Sequence, residues 1–193
     1  MGAGGHEGVK AMFYRSERLF LRPPFPEDAR GLYEGICDAG VVAMLGSAPW
    51  PYRMADAERS TSQPKPGLER FLITLPAEDG RIIGGIGFNR SKDDPEIGYW
   101  IARSHWGRGY ATEAVRAVCE MARAFGHARL TAGHYLDNPA SGRVLRKVGF
   151  RETGEIRPTE CRARGGELVL SRRYSLELEG VEGEVGAAQM RAA

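Results

Sequence analysis

A chain of 193 residues is long enough for one domain that buries about 70% of its unfolded surface. Lys and Arg number 27 against 25 Asp and Glu, a net charge of +2, which is too even for a nucleic-acid footprint. Cys37, Cys119 and Cys161 lack metal-ligand spacing and a disulfide framework, so they fit a reducing cytoplasm, and no apolar run approaches a membrane span.

Residues 1–11 are Gly-rich without periodicity or a signal-peptide core, so residues 1–12 are expected to be a flexible extension, with Met12 a second candidate start. One domain is expected over residues 13–178. Arg18–Arg22 alternates as a strand that Pro23 and Pro24 end. Pro26-Glu-Asp then opens a helix running to about Ile36. Ala48-Pro-Trp-Pro-Tyr52 is a rigid aromatic loop, followed by a short helix around Ala55–Arg59 and a loop at Gln63–Gly67. Leu68–Leu75 and Arg81–Asn89 form two strands joined through the hairpin signal Asp79-Gly80. Gly84-Gly85-Ile-Gly87 lies inside a strand pattern with no helix after it, so it is no dinucleotide fingerprint; its glycines allow close packing or a bulge. Ser91–Pro95 turns the chain.

Glu96–Ile101 is the next strand, with Ile97, Tyr99 and Ile101 alternating with Gly98 and Trp100. Gly107 and Gly109 break it. A helix follows, with Thr112 as candidate N-cap, Ala114, Val115, Val118, Ala122 and Phe125 on its buried face, and Gly126 as its stop. A glycine turn at a helix start offers free N–H groups and partial positive charge, a seat for a phosphate or diphosphate. Arg108 would add a charge-assisted bond. A plain strand-to-helix turn is the alternative. Leu130–Leu136 is a strand, Pro139 starts a helix that Gly149 ends, and two strands near Glu160–Arg164 and Glu167–Leu178 join through Gly165-Gly166. Residues 179–193 form a Gly/Ala-rich tail. The alternation of elements indicates α/β or α+β layering.

Two segments carry a resemblance to a known family. Trp106-Gly-Arg-Gly-Tyr-Ala-Thr-Glu-Ala114 resembles the acyl-CoA pyrophosphate loop of the GNAT N-acetyltransferase superfamily. Asn138-Pro-Ala-Ser-Gly-Arg-Val-Leu-Arg-Lys-Val-Gly-Phe150 resembles that family's second cofactor segment. Both are most similar to the branch of the ribosomal-protein alanine N-acetyltransferases, over about residues 13–178. Trp106 departs from the family's usual Gln or Arg. The resemblance implies an α+β fold, a mixed, mostly antiparallel sheet flanked by helices, whose parallel strands near Glu96–Ile101 and Leu130–Leu136 splay apart to admit acetyl-CoA. It implies that Tyr99, Trp100 and Ile101 pair with the pantetheine arm. Trp106, Gly107, Arg108, Gly109, Tyr110, Ala111 and Thr112 would hold the diphosphate, and Asn138 and Ser141 the opposite wall. Asn138 also suits a helix cap. Many relatives have a Tyr seven residues after that Asn as thiolate acid; this chain has Leu145, and Ser141 is the replacement. Glu96 is the candidate base, with His134 and Glu160 as rivals. Trp50 and Tyr52 are either a surface turn or a wall of the acceptor pocket. Arg143 and Arg146 are either a solvated face or contacts to nucleotide phosphates.

The implied reaction is acetyl transfer from acetyl-CoA to a primary amine. A site without an unambiguous strong base fits an α-amine better than a Lys amine, because an α-amine is already about one-tenth neutral at pH 7. The expected acceptor is a protein or peptide N-terminus; alternatives are a small amine or amino-acid derivative, or a non-catalytic CoA-binding module. No metal, nucleic acid or membrane is expected, and the protein is expected to be a monomer or homodimer.

Overall fold

The computed structural model describes residues 12–63, 65–89 and 94–178. The extension at residues 1–11, the tail at 179–193 and residues 91–93 of the Ser91–Pro95 turn lie outside the described residues.

In chain order, β1 (Tyr14–Arg15) and β2 (Phe20–Arg22) lead through a tight turn at Pro26–Asp28 into α1 (Ala29–Ile36), α2 (Ala39–Val42) and α3 (Met54–Ser62). Then come β3 (Leu68–Leu75), β4 (Arg81–Asn89), β5 (Glu96–Ile101), α4 (Tyr110–Ala124), β6 (Arg129–Tyr135), α5 (Pro139–Val148), β7 (Arg151–Cys161) and β8 (Glu167–Glu177). The strands form one sheet in the order β1-β2-β3-β4-β5-β6-β8-β7. Every neighbouring pair is antiparallel except β5 and β6, which are parallel.

Strand alternation divides the apolar residues between two faces. Phe71 and Ile73 of β3, Ile83 of β4 and Tyr99 of β5 join one cluster with Val115, Val118 and Met121 of α4 and Leu145 of α5. Leu72, Ile82 and Trp100, their immediate neighbours in sequence, join Leu32, Ile36 and Ala57 of α1 and α3 on the other face. Met12 packs against the first cluster. The glycines of β4 permit close packing: a Cβ on Gly85 would stand 2.6 Å from the Trp100 indole nitrogen.

Three local expectations are corrected, and one short helix was not foreseen. The strand expected over Arg18–Arg22 is only Phe20–Arg22, because Ser16 N–H closes a turn onto the Leu19 carbonyl at 3.0 Å. α4 begins at Tyr110 with Gly109 as its N-cap, so Thr112 sits inside the first turn. The strand expected near Glu160–Arg164 runs instead from Arg151 to Cys161, and residues 162–164 form a 3-10 turn. That strand is exposed along most of its length and its pairing with β8 is irregular between Glu152 and Ile156, so it has no buried apolar stripe for alternation to reveal. α2 had no sequence signal; Asp38 caps its four residues by accepting the Val41 N–H at 3.0 Å. No helix among the described residues is long and apolar enough to cross a membrane.

Candidate active site

The site begins with a break in pairing. β5 and β6 are joined only at Glu96–Thr131 and Ile97–Ala132. Beyond Ile97 the strands part, and a cleft of about 510 Å³ opens between them. The backbone of β5 from Gly98 to Ile101 still pairs with β4 on its other side. The open edge is a place where an extended polar chain can pair.

α4 starts at the mouth of this split. Gly107 and Gly109 both have left-handed φ, +75° and +83°. A side chain there would be strained, and a Cβ on Gly107 would meet nothing within 4 Å, so the main chain is open to a close ligand. Gly109 offers no side chain to cap the helix. Among the described residues, no protein acceptor takes the N–H groups from Gly107 to Thr112. Unsatisfied donors and a helix dipole at one point form an anion seat worth ~0.3–1 kcal/mol, or ~2 when partly buried.

The loop is pinned from two directions. Trp106 donates its indole N–H to the Ile101 carbonyl at 2.6 Å, tying the loop to the end of β5. Arg18 donates to the Arg108 carbonyl at 3.0 Å and lies over the Tyr110 ring at 4.6 Å. Glu113 holds Arg18 at 2.7 Å and also accepts from Ser16 and the Arg18 backbone N–H. Burial alone would raise the Glu113 carboxyl; these donors outweigh it and hold it below the usual range. Arg18 had no motif to reveal it.

The opposite wall is α5. Asn138 caps the helix, its Oδ1 accepting the Ser141 N–H at 3.3 Å, which leaves the amide NH₂ for the cleft. The Tyr99 phenol lies 2.8 Å from Ser141 Oγ. Leu145 is fully buried in the main core and does not line the cleft.

At the far end stands Glu96, the one carboxylate lining the cleft among the described residues. Arg173 of β8 grips it with two bonds, Nη1 to Oε1 at 2.8 Å and Nη2 to Oε2 at 2.7 Å, while Arg157 stands 3.7 Å away. The Arg173 side chain is only 8% exposed, so the pair is fixed in place. His134 also lines the cleft. Its Nδ1–H donates to the Tyr135 carbonyl at 2.7 Å, and Nε2 is 3.2 Å from the Tyr174 hydroxyl. Thr159 and Ser171 share a 2.6 Å hydroxyl contact on the same wall.

The cleft thus brings together Glu96, Tyr99, Trp100, Ile101, Trp106, Gly107, Gly109, Tyr110, Ala111, Thr112, Asn138 and Ser141. Arg108 is exposed and does not line the cleft, nor does Glu160, whose carbonyl accepts from Tyr135. Arg143 lines the cleft, whereas Arg146 binds Glu152 and the Tyr174 hydroxyl. Trp50 and Tyr52 do not line the cleft. Tyr52 is buried in the second core and Trp50 is surface-exposed; Val41, Met44 and Leu45, on and just after α2, line it instead. No group of three or more metal-ligating side chains is found among the described residues.

Residues 18–151 match the family model described as "Acetyltransferase (GNAT) domain". The uncharacterized N-acetyltransferase YoaA of Bacillus subtilis is 29% identical over 151 residues, 74% of this chain and 84% of that protein. The ribosomal-protein-serine acetyltransferase of Escherichia coli is 29% identical over 157 residues, 75% of this chain and 86% of that protein. Among solved structures, RimL, a ribosomal L7/L12 alpha-N-protein acetyltransferase in complex with coenzyme A, superposes with a TM-score of 0.73 at 19% identity, covering 86% of this chain and 98% of its own.

Proposed function

Because the chain belongs to the GNAT acetyltransferase family and is an acetyl-CoA-dependent N-acetyltransferase, we propose that its acceptor is the N-terminal α-amine of a protein or peptide. The observation that carries this reading is the state of Glu96. Both its oxygens already accept from the buried Arg173 guanidinium, so a proton taken from the acceptor competes with two charge-assisted bonds. Such a site suits an amine that loses its proton easily. An α-amine with a pKa of ~7.7–8.0 is about one-tenth neutral at pH 7; a Lys amine at ~10.4 is neutral in roughly one molecule per few thousand. The similarity to proteins described as acting on ribosomal-protein serine and on an alpha-N-protein substrate supports the same class. So does the position of Trp50 and Tyr52 away from the cleft, since an aromatic lid would have favoured a small enclosed amine.

Acetyl-CoA supplies the activated acetyl group as a thioester. The N–H groups of residues 107–112 hold its diphosphate at the start of α4, and the open edge of β5 from Tyr99 to Ile101 pairs with its pantetheine amides. Asn138 donates its side-chain amide from the other wall. Glu96 orients the incoming amine by charge and takes, directly or through water, the proton that the nitrogen sheds once it has attacked. Ser141 donates a hydrogen bond to the leaving sulfur.

Coenzyme A release tests this reading. A panel of peptides with free N-termini and no Lys should turn over, while N-terminally blocked peptides with a single Lys and small primary amines should stay near background. Preferential turnover of the blocked Lys peptides or of a small amine would reject the acceptor class.

A further inference from the structure

Two hydroxyls meet where β5 and β6 part. The Tyr99 phenol oxygen lies 2.8 Å from Ser141 Oγ and 3.2 Å from the Ser141 carbonyl. Tyr99 stands two residues past the last pair of the parallel strands, Ile97–Ala132, and its ring packs against the main core. Ser141 is held from below by Asn138, which accepts its N–H. Both residues line the cleft, so the hydroxyl pair bridges the two walls of the split.

The phenol has one proton and two acceptors within reach. Donation to the Ser141 carbonyl turns the Ser141 proton back onto the phenol oxygen. Donation to Ser141 Oγ, the shorter contact, releases the Ser141 proton toward the cleft. An anionic acceptor there selects the second arrangement, because hydrogen bonds in a chain polarise one another and bonds to charged groups are roughly twice as strong as neutral ones. Burial pushes the phenol up to about 12, whereas a thiol sits near ~8.5. Proton transfer from the phenol to a thiolate is therefore uphill. The pair gives a hydrogen bond and keeps its protons.

Resting on the role given to Ser141 above, we propose that Tyr99 is a positioning residue that aims the Ser141 hydroxyl at the leaving sulfur of coenzyme A. As the amine nitrogen bonds to the acetyl carbon, the carbon–sulfur bond breaks and the sulfur keeps its electron pair. Ser141 donates to that sulfur and Tyr99 donates to Ser141. The amine's proton leaves through Glu96 or water, and the thiolate takes its proton later from solvent. A phenol at position 145 is then unnecessary, which fits the burial of Leu145 in the core.

The binding test needs no acceptor. Calorimetry compares coenzyme A with desulfo-coenzyme A, its thiol-free analogue, from pH 6 to 10. In the native protein, affinity for coenzyme A should rise with pH relative to the analogue as the thiolate forms. Ser141→Ala and Tyr99→Phe should each lose about tenfold of that rise, and the double variant no more than either alone. In turnover, Tyr99→Phe should lower kcat about tenfold with KM for acetyl-CoA within about twofold. A Tyr99 that only packs would change melting temperature and KM and leave the thiol's pH dependence intact. Retention of the full rise in Tyr99→Phe while Ser141→Ala loses it, or additive losses in the double variant, overturns the role of Tyr99. Retention in both variants overturns Ser141 as well, and leaves the acceptor class untouched because no acceptor is present.

Discussion

At the scale of single residues, fixed ion pairs hold elements together within the fold and, at Glu96, within the cleft. Arg22 and Asp28 meet in two 2.6 Å bonds between β2 and the start of α1, with side chains 20% and 9% exposed. Burial alone would raise the Asp28 carboxyl; Arg22 and the Phe25 N–H outweigh it and hold it below the usual range. Asp28→Asn should cost about 2–3 kcal/mol by denaturant unfolding, somewhat less than a fully buried pair, because Arg22 keeps some solvent. The sign with pH follows from the lowered carboxyl. The native pair contributes fully above the unfolded value of ~3.9 and loses its contribution as pH falls through the lower folded value. The variant should therefore show a shallower loss of stability than the native protein below about pH 4. The Glu96–Arg173 pair has the same form, and there the fixed geometry constrains proton transfer as well as packing.

At the scale of elements, the β5–loop–α4 unit is the proposed seat of the cofactor. Three local features define it: strand alternation through Ile101, left-handed glycines at 107 and 109, and the apolar stripe of α4 that anchors the helix on the sheet. Gly107→Ala tests the loop without touching the core, since the added methyl meets no protein atom within 4 Å. The left-handed φ costs about 1–2 kcal/mol for an L-residue. The loop relieves that strain by turning its amides away from the anion seat. Acetyl-CoA affinity by calorimetry should fall about tenfold or more, with little change in melting temperature. An unchanged affinity would place the diphosphate elsewhere. These elements were legible in the sequence because glycine punctuation and apolar periodicity act over a few residues. β7 was not, because its exposed residues form no buried stripe. The N-cap was misplaced by three residues because Thr112 has the right side chain, while Gly109 has the backbone freedom the turn requires.

At the scale of the whole molecule, the sheet sets the distance between a cofactor end and an acceptor end. A cleft with one Arg-bound carboxylate leaves deprotonation largely to the amine itself. For a peptide α-amine, kcat/KM should rise close to tenfold per pH unit below ~7.7–8.0 and level off above it. Rates from pH 6 to 9.5, followed by mass spectrometry of the acetylated peptide, would check this; a flat profile between pH 6 and 8 would point to a strong protein base instead. The chain by itself determined most of the strands and helices, though not β1, α2 or the extent of β7, together with the candidate anion-binding loop and the candidate hydroxyl and amide at Ser141 and Asn138. Those depend on neighbours in sequence, where backbone preference and side-chain period are fixed locally. Only the tertiary structure decided that Arg173 grips Glu96 across 77 residues, that Tyr99 reaches Ser141 across 42, and that α2 replaces Trp50 and Tyr52 at the cleft. Such contacts arise when strand register brings distant segments side by side, and no local pattern encodes which side chains then meet.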